Sequence, residues 1–126
     1  MDLTVKNLVL SYETLASQSV KLNHSYLSLL KVYDELNFDI SLLPDLDQAG
    51  CSPLKVVESM NRDRLIIVDK FTDLIGLITK AQKHFINDPE AQNLSETAHD
   101  CLVMQDFVKG IALNQLQQMF AEISLS

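Results

Sequence analysis

A chain of 126 residues with 47% hydrophobic side chains is large enough for one core and small enough to be one domain. Its aromatic fraction is 6%, it has no Trp, and three glycines and three prolines are too few to punctuate a β-sandwich or barrel, so the composition points to long helices. A net charge of -7, from 17 acids against 10 bases, sets the chain against phosphate backbones and anionic lipid, so neither nucleic acid nor membrane is an expected partner.

From Val5, the residues Leu8, Tyr12, Leu15, Ser19, Leu22, Tyr26, Leu29, Tyr33 and Leu36 recur at alternating spacings of three and four, the a/d pattern of a helix packed along its length. Val9, Ala16 and Leu30 widen the apolar face enough to meet two neighbouring helices. This first helix is predicted to end between Leu36 and Ile40, before a connection containing Pro44 and Gly50. Phe38, Ile40, Leu42, Leu43, Leu46 and Leu54 make that connection too apolar to float in solvent, so it is expected to fold back over the end of the bundle.

Ser52-Pro53 reads as a second helix start, with Ser52 as a side-chain cap and Pro53 at the first helical position. Val57, Met60, Arg64, Ile67, Phe71, Leu74, Ile78, Ala81 and Phe85 repeat the same spacing, with Arg64 the one departure. Leu65, Ile66 and Leu77 lie off this stripe, and the first two are expected to touch the apolar connection. Asn87-Asp88-Pro89 ends the helix. A third helix starts at Pro89 or Ser95, with an apolar set of Leu94, Ala98, Cys101, Leu102, Val108, Ile111, Ala112, Leu116, Met119, Phe120 and Ile123 running through Gly110. The expected architecture is a single all-α domain over residues 1–126, an antiparallel up-down-up bundle of three long helices with a packed connection between the first two.

Motifs for chemistry are weak. Glu96-Thr97-Ala98-His99 has the Glu-x-x-His spacing that di-iron bundles use, but a di-iron site needs a second copy that the other helices lack. Asp45, Asp47 and Gly50 match part of an EF-hand loop, whereas its fifth and twelfth positions are Ala49 and Val56. His24, His84 and His99 are dispersed, with no phosphotransfer motif around them. Cys51 and Cys101 stand at no zinc spacing, and with no secretory leader at Met1-Asp2-Leu3-Thr4-Val5-Lys6-Asn7 they read as reduced thiols of a cytoplasmic protein. No enzyme activity, metal or cofactor is expected.

Charge is segregated. Asp34, Glu35, Asp39, Asp45 and Asp47 form one acidic stretch, and Asp88, Glu90, Glu96, Asp100 and Asp106 another. The second helix, with Lys55, Arg62, Arg64, Lys70, Lys80 and Lys83, is mildly basic, which suits either internal complementarity or an acidic face that steers a basic partner. In the first helix the d row is uniformly Leu, while the a row reads Val5, Tyr12, Ser19, Tyr26, Tyr33. Tyrosine joins an apolar body to a hydroxyl that seeks water, so Tyr12, Ser19, Tyr26 and Tyr33 mark an edge expected to be half covered and to receive a partner helix or a second copy of the chain.

In size, charge and helical layout, over its whole length, the chain resembles the chaperones that guard export substrates of flagella and type III secretion systems. No single motif carries that likeness, so no residue roles transfer. It implies a non-enzymatic protein that binds an amphipathic helix or disordered segment of another protein. The alternatives are a structural or adaptor subunit of a larger helical assembly, or an immunity or inhibitor protein.

Overall fold

The computed structural model describes residues 4–50 and 52–125 and contains no strand among them. Its helices are α1 (Val5–Phe38), a short α2 (Leu43–Gln48), α3 (Pro53–His84), α4 (Gln92–Lys109) and α5 (Leu113–Leu125), with one-turn 3-10 segments at Ile40–Leu42 and Pro89–Ala91. None is long and apolar enough to cross a membrane.

The heptad stripes form where the sequence places them. Thr4 opens α1, its hydroxyl accepting from the Asn7 amide at 3.3 Å, a cap worth about 1 kcal/mol. Leu8, Leu15, Leu22 and Leu36 of the d row are buried. On α3, every stripe position from Val57 to Ala81 is buried except Arg64, and Phe71 and Ile78 are fully enclosed. Burying a side chain such as Phe71 stabilises the fold by about 2–3 kcal/mol. Pro53 sits in the first turn of α3 as expected, but Ser52 makes no side-chain cap; its backbone carbonyl accepts from Val56 instead.

The helix directions follow from cross-contacts. Gln105 meets Val68 and Thr72, Gln82 meets Ser95, and Asn61 meets Asn114, so the α4–α5 segment runs antiparallel to α3. Tyr33 packs on Phe120, and Tyr12 lies within reach of Cys101, so the same segment runs parallel to α1.

The expected third helix is not continuous. It breaks at Gly110, Ile111 and Ala112, so four longer helices replace the three read from the sequence. Gly110 takes an ordinary right-handed conformation, so a positive φ is not the cause. The phase of the apolar residues is. Val108 and Leu113 are both fully buried, yet five residues on an unbroken helix turn through about 140° and cannot face the same core. The chain therefore tightens at the end of α4, where Gly110 donates to the carbonyls of Asp106 and Phe107 and Ile111 to that of Val108. It restarts so that Leu113, Leu116, Phe120 and Ile123 form their own stripe.

The connection after α1 is only partly packed. Leu43, Leu46 and Leu54 rest on the core, whereas Phe38 is 94% exposed and Ile40 and Leu42 also face solvent. Leu102, assigned to the core from its spacing, is exposed, and Thr97 and Gln105 are buried in its stead. Leu65 is exposed, and Ile66 lines a groove between α1 and α3 where contact with the connection was expected.

Candidate partner-binding surface

The a row of α1 follows the seam between α1 and the α4–α5 segment. Tyr12, Tyr26 and Tyr33 are each half-buried, with their rings on the core. Tyr33 meets Phe120 edge to face, with ring centroids 5.7 Å apart and planes at 88°. The Tyr12 hydroxyl is pushed above the usual phenol range by burial first, then by the charges of Asp100 and Cys101. Ser19 is fully buried, and its hydroxyl donates to the Leu15 carbonyl one turn back, at 2.7 Å. With no free hydroxyl to offer, Ser19 acts as the small residue that lets a neighbouring helix come close.

An apolar rim flanks this row. One residue beyond each a position, and about 100° further round the helix, stand Lys6, Glu13, Val20, Leu27 and Asp34. All five are exposed, with Val20 at 44% and Leu27 at 46%. They form a seven-residue repeat in which Val20 and Leu27 lie between the acids Glu13 and Asp34, with the base Lys6 one step beyond Glu13. On α4, Asp100 lies close enough to act on Tyr12, and Val103 and Phe107 share its helix face three and seven residues on. Val103 is 55% exposed and Phe107 42%. The half-buried tyrosine row is thus flanked on α1 by Val20 and Leu27 and, on α4 beside its Tyr12 end, by Val103 and Phe107. Reading for the core stripe alone misses these flanking residues, although the period of seven through Val20 and Leu27 is present in the sequence.

The remaining candidates do not converge. Glu96 and His99 are both exposed in α4, and among the described residues no group of three His, Cys, Asp or Glu side chains could hold a metal ion. Asp45 and Asp47 lie within helix α2, where residues two apart point to different sides, unlike the wrapped loop that calcium requires. His24 and His84 are exposed and far apart in the chain. Cys101 is a free, buried thiol pushed up to about 11 by burial and the Asp100 charge, which suits packing and not nucleophilic chemistry. Cys51 and the side chain of Glu90 lie outside the described residues.

The chain matches no known family, no curated protein and no solved structure. The geometry of its surface is therefore the ground for a functional reading.

Proposed function

We propose that this is a cytoplasmic, non-enzymatic protein-binding module, a small acidic chaperone of the flagellar or type III export kind. Its ligand is an amphipathic helix or disordered segment with an apolar centre and basic flanks. The observation that supports this reading is the strip along α1, with Val20 and Leu27 between the acids Glu13 and Asp34 and a tyrosine floor beneath. From Glu13 to Asp34 it spans about 32 Å of helix, the length of a partner segment of about six turns. Covering its half-exposed apolar side chains would supply a few kcal/mol, and the net charge of -7 would speed encounter with a basic segment. The scaffold is read as three columns running up, down and up, with the third divided into α4 and α5.

Affinity capture from the source lysate tests this reading, with a Val20→Asp/Leu27→Asp variant and a Tyr26→Ala/Tyr33→Ala variant as controls. A partner held by the native chain and lost by the Asp variant supports it. Equal capture by the native chain and the Asp variant refutes it. The adaptor-subunit alternative draws on Phe38 and Ile86, 94% and 78% exposed at opposite ends of the scaffold, where end-to-end contacts would form.

A further inference from the structure

On the side of α1 away from the tyrosines, an open groove runs between α1 and α3. It comprises two hollows of about 390 and 500 Å³ that share Gln18 and Lys70 and so join along the helices. The α1 wall mixes the short polar side chains Ser11, Thr14 and Ser25 with Leu10, Leu15 and Leu22, so it offers apolar surface with room beside it.

The α3 wall has an order of its own. Asp63, Ile66, Lys70, Asp73, Leu77 and Lys80 follow at spacings of three and four and so share one outer face of α3. All are exposed except Leu77, which is half-buried. The series reads acid, apolar, base, acid, apolar, base. Turned end for end about the midpoint between Phe71 and Thr72, it becomes its own complement. Asp63 then faces Lys80, Ile66 faces Leu77, and Lys70 faces Asp73, each pair occurring twice. A two-fold axis makes this demand of a surface, since residue i must suit residue j and j must suit i.

We propose that the occupant of this groove is a second copy of the chain, paired antiparallel through α3 about a two-fold axis beside Phe71 and Thr72. Ile66 of each copy enters the other's groove against Leu77, where Leu10, 47% exposed, lines the same hollow. The two central Lys70–Asp73 pairs fix the register, and the outer Asp63–Lys80 pairs close the ends, over about 26 Å of helix. The choice of a copy over an acidic or basic partner follows from charge. The stripe carries two acids and two bases, and α3 has six Lys and Arg against four Asp and Glu in a chain whose net charge is -7. It is therefore a face on which two acidic copies meet without net repulsion between the facing stripes. This proposal is independent of the partner strip, which stays open on both copies.

Sedimentation equilibrium of the full chain tests it by charge swapping, with circular dichroism to confirm folding. The native chain is expected to dimerise. Lys70→Asp and Asp73→Lys each place two like-charged pairs at the axis and should weaken the dimer by about tenfold or more. The double variant should regain it, and an equimolar mixture of the two single variants should form a one-to-one heterodimer, in which every Asp faces a Lys. A native chain that stays monomeric, single variants that dimerise as the native chain does, or a mixture that does not recombine would each overturn the proposal.

Discussion

Arg64 of α3 donates from Nη1 to the carbonyl of Lys109, the last residue of α4, at 3.3 Å. Its Nε donates to the Asn61 side chain at 3.0 Å, and the Asn61 amide in turn donates to Asn114 in the first turn of α5. One polar cluster on α3 therefore holds both sides of the α4–α5 break. A cation at a helix C-terminus also meets the negative end of the helix dipole. The single departure from the α3 stripe and the interruption of the third helix are two halves of the same contact.

Removing that contact should loosen the break. Arg64→Ala is expected to destabilise the fold by about 1–3 kcal/mol in urea denaturation, and Asn114→Ala by less. Because the two act through Asn61, a double-mutant cycle should give a coupling of at least about 0.5 kcal/mol; strict additivity would mean that they act separately.

Ser19 should tolerate shrinkage but not growth. Ser19→Ala removes only a bond to its own helix and should change stability by less than about 1 kcal/mol, whereas Ser19→Leu should overpack the α1 seam by about 1–3 kcal/mol. A thermal melt of the Leu variant that matches the native protein would show that the seam has spare room.

Gln105 is buried, and its amide donates at 2.9 Å to both the Val68 carbonyl and the Thr72 hydroxyl. The Thr72 hydroxyl also donates to the Val68 carbonyl, so removing the amide leaves neither group orphaned. Gln105→Met should therefore stay within about 1 kcal/mol of the native stability, while Gln105→Ala, which opens a cavity, should lose about 1–3 kcal/mol. Equal losses for both would assign the stabilisation to the hydrogen bonds and not to volume.

Alkaline pH should destabilise the protein through Cys101 and Tyr12. Unfolded, the thiol ionises near its ordinary 9.0; folded, it is raised to about 11 by burial and Asp100. Between these values the unfolded chain has released a proton that the folded chain keeps, so stability is full below about pH 9 and falls as pH rises toward 11. The raised Tyr12 hydroxyl adds in the same direction above its ordinary 10.0. Denaturation midpoints measured across this range should decline less steeply for Cys101→Ala. At pH 8 the folded protein should leave Cys101 unmodified by iodoacetamide, as located by peptide mass.

The two long helices were legible because their apolar positions keep one phase for about 30 residues, from Val5 to Leu36 and from Val57 to Phe85. The break was written less loudly. Val108 and Leu113 conflict in phase, but Gly110 alone reads as a tolerable weak point, and Arg64 reads as an exception until its acceptor on Lys109 is known. Thr97 and Gln105 displace Leu102 from the core because hydrogen bonding can satisfy them there, which periodicity does not register. On the surface, the tyrosine row was visible as a half-apolar edge and the period through Val20 and Leu27 is written beside it, while the approach of Val103 and Phe107 emerges only once the helices are set side by side.

The division of the third segment also bears on the order of assembly. An isolated helix of α5's 13 residues is marginal in water, so α5 takes shape mainly on a surface that α1 and α3 have already built. Among the four longer helices it is the natural last piece to dock and the first to open, with Phe120 against Tyr33 as its anchor. Amide hydrogen exchange should show α5 opening as a unit ahead of α3, and a ligand that settles on the tyrosine edge should slow that opening; simultaneous exchange of both helices would place them in one cooperative block.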